Sequence, residues 1–148
     1  MSAPETPGTA GTTCSRARAE VRSALEQVCR ALQPARARRL REDALLVVSE
    51  LTANAIRHGG GLTHLGVRVH DGVLLLSVSD RSETVPCRVP AAPARPGGFG
   101  WPMIQQLSSS VTVEVNRGGK TIVAALDVSE RLGETCGTDR TRERQSTG

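Results

Sequence analysis

The stretch ELTANAIRHGGG, residues 50–61, joins a helical pattern to three consecutive glycines. Four polar residues in it stand at positions i, i+4, i+7 and i+8: Glu50, Asn54, Arg57 and His58. At about 100° per residue, their side chains fall on one side of a helix. Glycine accepts the left-handed geometry of a helix end, so the run that begins at Gly59 predicts where this helix stops. The stretch therefore predicts a helix with a polar stripe at its C-terminal end.

The chemistry of this stripe suits a site for a metal ion and a nucleotide. Asn54 can offer a neutral oxygen to Mg²⁺, which keeps several waters and bridges phosphates. Glu50 can orient or deprotonate a nucleophile, and Arg57 can pair with phosphate oxygens. The same residues also fit an ordinary polar helix face, with a Glu50–Asn54 hydrogen bond and with cations near the negative end of the helix dipole. Spacing alone leaves both interpretations open.

Apolar periodicity predicts the elements on either side of this stretch. Residues 15–32 and 35–58 repeat apolar positions every three or four residues, which is typical of amphipathic helices. On the second helix the predicted apolar face is Leu40, Ala44, Val47, Val48, Leu51 and Ala55. After the glycines a period of two predicts strands, with a short helix between the second and third. The predicted strands are 64–70, 73–79, 111–116 and 121–127, and the short helix is 101–107.

This order of elements predicts an α+β fold. Asp71-Gly72 is a signal for a two-residue hairpin, and Arg117-Gly118-Gly119-Lys120 marks a second turn. Helices on one face of a mostly antiparallel sheet form a two-layer sandwich, which buries the apolar side of both layers. We expect one domain over residues 15–128, with polar segments without fixed structure at 1–14 and 129–148.

Two further features could complete a ligand site. Asp80 ends an otherwise apolar strand, and a buried acid needs a donor such as the exocyclic amine of a base. It could equally be a former of the strand-end turn. Gly97-Gly98-Phe99-Gly100 precedes the short helix, where backbone N–H groups and the helix N-terminus favour phosphate. The proline-rich loop 81–96 has the length of functional or mobile loops.

Composition narrows the classes of function. The net charge is +4, but Phe99 and Trp101 are the only aromatic residues, so platforms for stacking bases are lacking. The arginine-rich region 16–41 could bind DNA, but basic charge alone does not establish this, and we do not expect a nucleic-acid partner. The four cysteines form no C-x-x-C pair. With no signal peptide and no apolar run of membrane length, we expect a cytoplasmic protein without a membrane partner.

In this order the motifs resemble those of the GHKL ATPases, whose Bergerat fold is also called the histidine-kinase-like ATPase fold. ELTANAIRHGGG resembles the family's N box, and Asp80-Arg81-Ser82 stands where the family has its G1 aspartate. GGFGWPMI stands at the G2 glycines, and Gly118-Gly119-Lys120-Thr121 resembles the closing segment. The resemblance covers residues 16–127. It is strongest to the small anti-sigma-factor serine/threonine kinases and their actinobacterial relatives.

The resemblance implies ATP and Mg²⁺ as cofactors and a role for each motif residue. Glu50 is then the catalytic base and Asn54 the Mg²⁺ ligand. Around the nucleotide, the implied contacts are Arg57 near the phosphates, Asp80 at the adenine amine, Thr121 in support of the adenine contact, and Gly98 and Gly100 closing on the phosphates. His58 is a further implied cofactor-binding residue. Loop 81–96 is the implied ATP lid.

The resemblance also implies a function. It is that of a regulatory kinase that phosphorylates a small antagonist protein and sequesters a sigma factor, with a homodimer as an implied assembly. Two motifs depart from the family pattern: the G1 segment lacks both glycines of D-x-G-x-G, and Pro102 follows the G2 glycines and removes one phosphate-facing N–H. These departures keep an alternative open, namely a catalytically weak or inactive module that regulates transcription by protein binding alone.

Overall fold

The computed structural model describes residues 7–86 and 100–129, with side chains from residue 13 onward. These residues form three helices and four strands. In chain order the elements are α1 (Pro7–Ala31), α2 (Pro34–His58), β1 (Leu62–His70), β2 (Val73–Asp80), α3 (Gly100–Leu107), β3 (Ser110–Asn116) and β4 (Gly119–Asp127). The predicted order of helices and strands is confirmed.

The four strands form one antiparallel sheet in the order β1-β2-β4-β3. Asp71 and Gly72 join β1 to β2 with φ angles of 52° and 73°, the positive values that a tight hairpin turn requires. Along β2 the even-numbered residues are buried and the odd-numbered ones are half-buried, so one face of the sheet is covered more completely. The predicted α+β fold, with an antiparallel sheet under helices, is confirmed.

Helix α2 supplies much of the core. Every residue of its predicted apolar face is buried, and Thr52 is buried with them. The Thr52 hydroxyl donates to the Val48 carbonyl at 2.6 Å, which satisfies its polar group inside the helix layer. Burying each large apolar side chain contributes roughly 1.5–3 kcal/mol, so this face anchors the neighbouring polar stripe. No helix of the described residues is long and apolar enough to cross a membrane.

Several element boundaries differ from the sequence prediction; the largest difference is at the start of α1, and the start of β4 matters for the site. Helix α1 begins at Pro7 rather than at residue 15, so part of the segment expected to lack fixed structure is helical. Proline fits the first turn of a helix, and each residue added to an existing helix gains one hydrogen bond. Strand β4 begins at Gly119 rather than at residue 121, which places Lys120 inside the strand. The expectations for residues 1–6, 87–99 and 130–148 lie outside the described residues.

Candidate functional site

The polar stripe of α2 is accessible and has no internal partners. Arg57 and His58 are exposed, while Glu50 and Asn54 are half-buried. Within the described part of the chain, none of these four side chains makes a hydrogen bond or an ion pair. The Glu50–Asn54 hydrogen bond expected of an ordinary polar helix face is therefore absent. The carboxylate and the carboxamide keep their hydrogen-bonding capacity for something else.

Glu50 meets the start of α3. Gly100, the buried first residue of that helix, lies so close to Glu50 that a β-carbon on it would overlap the Oε2 atom. Any larger residue at this position would have to displace the Glu50 side chain. It also places the Glu50 carboxylate at the N-terminal end of a helix, where negative charge is favoured. The structure thus brings together two residues from different predicted motifs, whereas Gly98 lies outside the described residues.

Helix α2 ends at His58, as the glycine run predicts, but the first glycine does not have the expected conformation. Gly59 has a φ of −98°, so the first glycine does not adopt the left-handed geometry; Gly60 and Gly61 do, at 72° and 118°. The N–H groups of Gly59 and Gly61 both donate to the Ala55 carbonyl and cap the helix. Gly59 is required for another reason, because a β-carbon there would overlap the carboxylate of Asp80.

Asp80 is buried, and both of its carboxylate oxygens accept hydrogen bonds from the protein. The ammonium of Lys120 lies 2.9 Å from Oδ2 and 3.1 Å from Oδ1, and the Ser82 N–H donates to Oδ1 at 2.9 Å. The side chains of Asp80 and Lys120 are each 5% exposed. The expected donor to this acid is thus present within the chain. The turn-forming role is also confirmed, since the Ser82 contact closes the turn after β2.

Sequence reasoning missed Lys120, the only lysine of the chain. The predicted turn contained it, so its side chain was not assigned to either face of the sheet. In the structure Asp80 and Lys120 are direct partners in the β2–β4 register. Strand alternation gives the signal, because Lys120 is followed at every second position by the buried residues Ile122, Ala124 and Leu126.

Thr121 is placed away from the acid. Its hydroxyl lies 2.7 Å from that of Ser79, its register partner. Successive residues of a strand point to opposite faces, so Ser79 and Thr121 lie on the other side of the sheet from Asp80 and Lys120. The structure therefore brings Lys120, rather than Thr121, to the Asp80 carboxylate.

Hydrogen bonds join the end of α2, at Gly59 and Gly60, to Arg81 after the end of β2. The Arg81 N–H donates to the Gly59 carbonyl at 2.8 Å, and the Arg81 guanidinium donates to the Gly60 carbonyl at 3.2 Å. Glu83 then accepts from the Gly118 N–H at 2.6 Å. These contacts fix the first residues of the predicted lid, whose residues 87–96 lie outside the described part of the chain.

The side chains of the site fit a magnesium ion that is held mainly by a nucleotide and by one protein oxygen. Within residues 7–86 and 100–129, no group of three or more His, Cys, Asp and Glu side chains could hold a metal by itself. Mg²⁺ with phosphates commonly uses only one or two protein oxygens and retains waters. Asn54, half-buried and without a hydrogen-bond partner, is able to supply such an oxygen.

Fold and site together define a class: two-layer α+β domains in which a polar helix stripe adjoins an acid at a strand end. The chain belongs to the family of histidine kinase-like ATPase domains, whose family model matches residues 12–126. That range contains the N-box stripe, the Asp80 turn and the Gly100 helix start. Family membership at the level of the histidine-kinase-like ATPase is thereby shown.

Solved structures with similar folds include two from Erythrobacter litoralis. The histidine kinase domain of the EL346 blue-light activated histidine kinase is 22% identical, with a TM-score of 0.45, over 61% of this chain and 46% of that chain. The EL346 blue-light activated histidine kinase itself is 21% identical, with a TM-score of 0.46, over 64% and 33%. The chain thus spans less than half the length of either structure.

A third similar structure is the histidine kinase AdeS of Acinetobacter baumannii. It is 15% identical, with a TM-score of 0.44, over 80% of this chain and 77% of that chain. No curated protein matches the chain.

Proposed function

We propose that this chain is an ATP-binding regulatory protein that transfers the γ-phosphoryl group to a serine or threonine of a small antagonist protein. In this proposal it also sequesters a sigma factor, and phosphorylation of the antagonist decides which partner is bound. The family of ATPase domains supports nucleotide binding as the general function. The kinase activity, the two partners and a homodimer rest on the resemblance of the motifs to anti-sigma-factor kinases.

The observation that carries the proposal is the state of the α2 stripe. Glu50 and Asn54 are half-buried, make no side-chain hydrogen bond within the described residues, and lie on the helix side that meets Gly100. Their polar atoms remain accessible to solvent and make no hydrogen bond to the described residues, so they can bind a ligand without breaking a hydrogen bond within the protein. A bound nucleotide with its metal ion would supply the missing partners.

Each residue has a defined task in the proposed transfer. Glu50 accepts the proton of the antagonist hydroxyl. The hydroxyl oxygen of the antagonist forms a bond to the γ-phosphorus, while the bond from that phosphorus to the β,γ-bridging oxygen breaks and ADP leaves. Asn54 holds Mg²⁺, which neutralises charge on the phosphate oxygens. Arg57 and His58 are exposed at the end of α2, within reach of solvent-side phosphates.

The direct test of nucleotide binding is the thermal stability of the full chain with and without MgATP. A ligand that binds only the folded state at 100 times its Kd adds about 2.7 kcal/mol, which raises the melting temperature by several degrees. We expect this shift in the wild type and its loss in Asn54→Ala. No shift in the wild type at millimolar MgATP would sink the proposal.

A second candidate function is a binding module without phosphoryl transfer. The observation that favours it is the Asp80–Lys120 ion pair, because the acid expected to meet adenine already has an internal donor. The altered G1 and G2 segments point the same way. Such a module would regulate transcription by contact alone.

Phosphoryl transfer separates these two candidates. Partners would be captured from the native cell on the full chain and incubated with γ-labelled ATP, with Glu50→Gln as the matched variant. The kinase proposal expects label on a captured small protein with the wild type, and at least a hundredfold less with Glu50→Gln, since general-base catalysis contributes about 10²–10⁴-fold. Equal labelling by the two proteins would show that the transfer does not depend on Glu50 and would contradict its role as the base. No labelling, despite a bound partner and bound ATP, favours the module.

A further inference from the structure

The ion pair at the end of β2 is a built feature of the core. Asp80 and Lys120 are register partners on adjacent strands, and their charged groups meet at 2.9 and 3.1 Å. Gly59 closes over the carboxylate, with no room for a β-carbon, and Gly119 packs equally tightly against the backbone carbonyl of Asp80. With both side chains 5% exposed, the ammonium and the carboxylate are enclosed by protein.

The hydrogen-bonding capacity of Asp80 is largely used. Oδ1 accepts from both Ser82 and Lys120, while Oδ2 accepts from Lys120 alone. Oδ2 keeps one lone pair, but both side chains of the pair are only 5% exposed, so the exocyclic amine of a purine, which is also an N–H donor, could reach Oδ2 only by displacing a group that encloses it. A neutral amine forms the weaker bond, because the Lys120 ammonium adds the attraction between two opposite charges to its hydrogen bonds. Lys120 and a base therefore compete for one acceptor.

We propose that Lys120 holds the place of the base amine on Asp80 while the protein is free of nucleotide, and that base binding releases the Lys120 ammonium. The inference rests on the proposed nucleotide site and adds a residue that sets its affinity. Lys120 is in this role a positioning residue that acts through Asp80, and it acts on the base rather than on the phosphates. The protein then binds the base portion weakly and the phosphate portion normally.

The first test compares affinities for ligands with and without a base. Isothermal titration of the full chain would use MgATP and magnesium tripolyphosphate, with the wild type, Lys120→Met and the charge-conserving Lys120→Arg. Removing a competing charge-assisted hydrogen bond should tighten MgATP binding by about tenfold or more in Lys120→Met. Lys120→Arg should bind MgATP no more tightly than the wild type does, and tripolyphosphate binding should be unchanged in all three proteins.

The outcomes separate this inference from the proposed function. Equal or weaker MgATP binding by a folded Lys120→Met variant, beside a wild type that binds MgATP, overturns the inference and leaves the nucleotide site intact. An equal tightening for tripolyphosphate also overturns it, because the effect would then concern the phosphates. Absence of MgATP binding in every protein removes the proposed function, and the inference with it.

A second measurement needs no variant and so does not depend on the folding of Lys120→Met. Because the chain contains a single lysine, ¹⁵N-lysine labelling gives one Nζ signal for the whole protein. We expect saturating MgATP to move this signal to the position of a solvated lysine, and tripolyphosphate to leave it where it is. A signal unchanged by saturating MgATP would show that the ion pair persists, contrary to the proposal.

Discussion

Two carboxylates of the candidate site, Glu50 and Asp80, stand in opposite states. Glu50 is half-buried on α2 and has no hydrogen-bond partner within the described residues. Asp80 is buried at the end of β2 and accepts from Lys120 and from the Ser82 N–H. Each is packed against a glycine that leaves no room for a β-carbon, Gly100 for Glu50 and Gly59 for Asp80.

Glu50 is thus free to bind a ligand, whereas Asp80 is already bound by a side chain of the protein. A carboxylate without a partner can turn toward a ligand at little cost in protein contacts. A buried, paired carboxylate is costly to separate from its partner, and a ligand that uses it must first replace that partner. The half of the site that is proposed to face the phosphates is therefore free to bind a ligand, whereas the half proposed to read the base is closed by the Asp80–Lys120 pair.

The largest expected effect comes from separating the buried pair. Removing one partner leaves the other as an uncompensated buried charge, so Asp80→Ala and Lys120→Met should each lower the free energy of unfolding by about 3–5 kcal/mol. The double variant should lose less than the sum of the two, because it buries no lone charge. Urea denaturation of the four proteins gives the values. If each single variant lost less than about 1 kcal/mol of unfolding free energy, the ion pair would be accessible to water and Asp80 would be open to a ligand.

The two glycines give a more direct comparison of the carboxylates. Gly59→Ala should lower the free energy of unfolding by about 2 kcal/mol, because the new methyl group must displace a buried carboxylate from its partner. Gly100→Ala should change it by less than about 0.5 kcal/mol, because the Glu50 carboxylate is the end of a flexible side chain and can swing aside.

Gly66→Ala is the control for both substitutions. A β-carbon at Gly66 would meet the ring of the exposed His64 at 3.3 Å, a contact that a surface side chain can relieve. It should therefore behave like Gly100→Ala in thermal denaturation. Equal losses of stability for Gly59→Ala and Gly100→Ala would contradict the difference between the two carboxylates.

The sequence predicts the unpaired half of this site better than the occupied half. The α2 stripe follows from helical spacing over one continuous segment, and the predicted apolar face of α2 is buried throughout. The Asp80–Lys120 pair depends on the β2–β4 register, which joins residues 40 positions apart. The turn signals do not specify that register. The predicted start of β4 at residue 121, two residues after the observed start at Gly119, also leaves Lys120 outside the strand and its face unassigned. Similarly, Gly59 was assigned a backbone role, whereas its function depends on a side chain that arrives from another element.

A smaller effect tests the unpaired half in the free protein. Asn54→Ala removes a side chain that makes no hydrogen bond within the described residues, and alanine has the higher helix propensity. We therefore expect the free energy of unfolding without nucleotide to rise by about 0.5 kcal/mol. Chemical denaturation without MgATP measures it. A loss of 1 kcal/mol or more would show that Asn54 has a structural partner and is not held free for a ligand.

The smallest expected effect concerns Asp43, a partly buried acid on α2 that has no ion-pair partner in the described residues. Burial raises the pKa of Asp43, Arg39 and Arg36 oppose the rise, and Glu42 adds to it. Because the folded state holds the proton more tightly than the unfolded state, wild-type stability falls as the pH rises from about 3.9 through the raised pKa. Asp43→Asn should therefore match the wild type near pH 3 and exceed it at pH 7 by up to about 0.5 kcal/mol. Glu42→Gln, an exposed neighbour, is the control and should show no such gain. A wild type more stable than Asp43→Asn at pH 7 would contradict this prediction and would mean that Arg39 and Arg36 outweigh burial at Asp43.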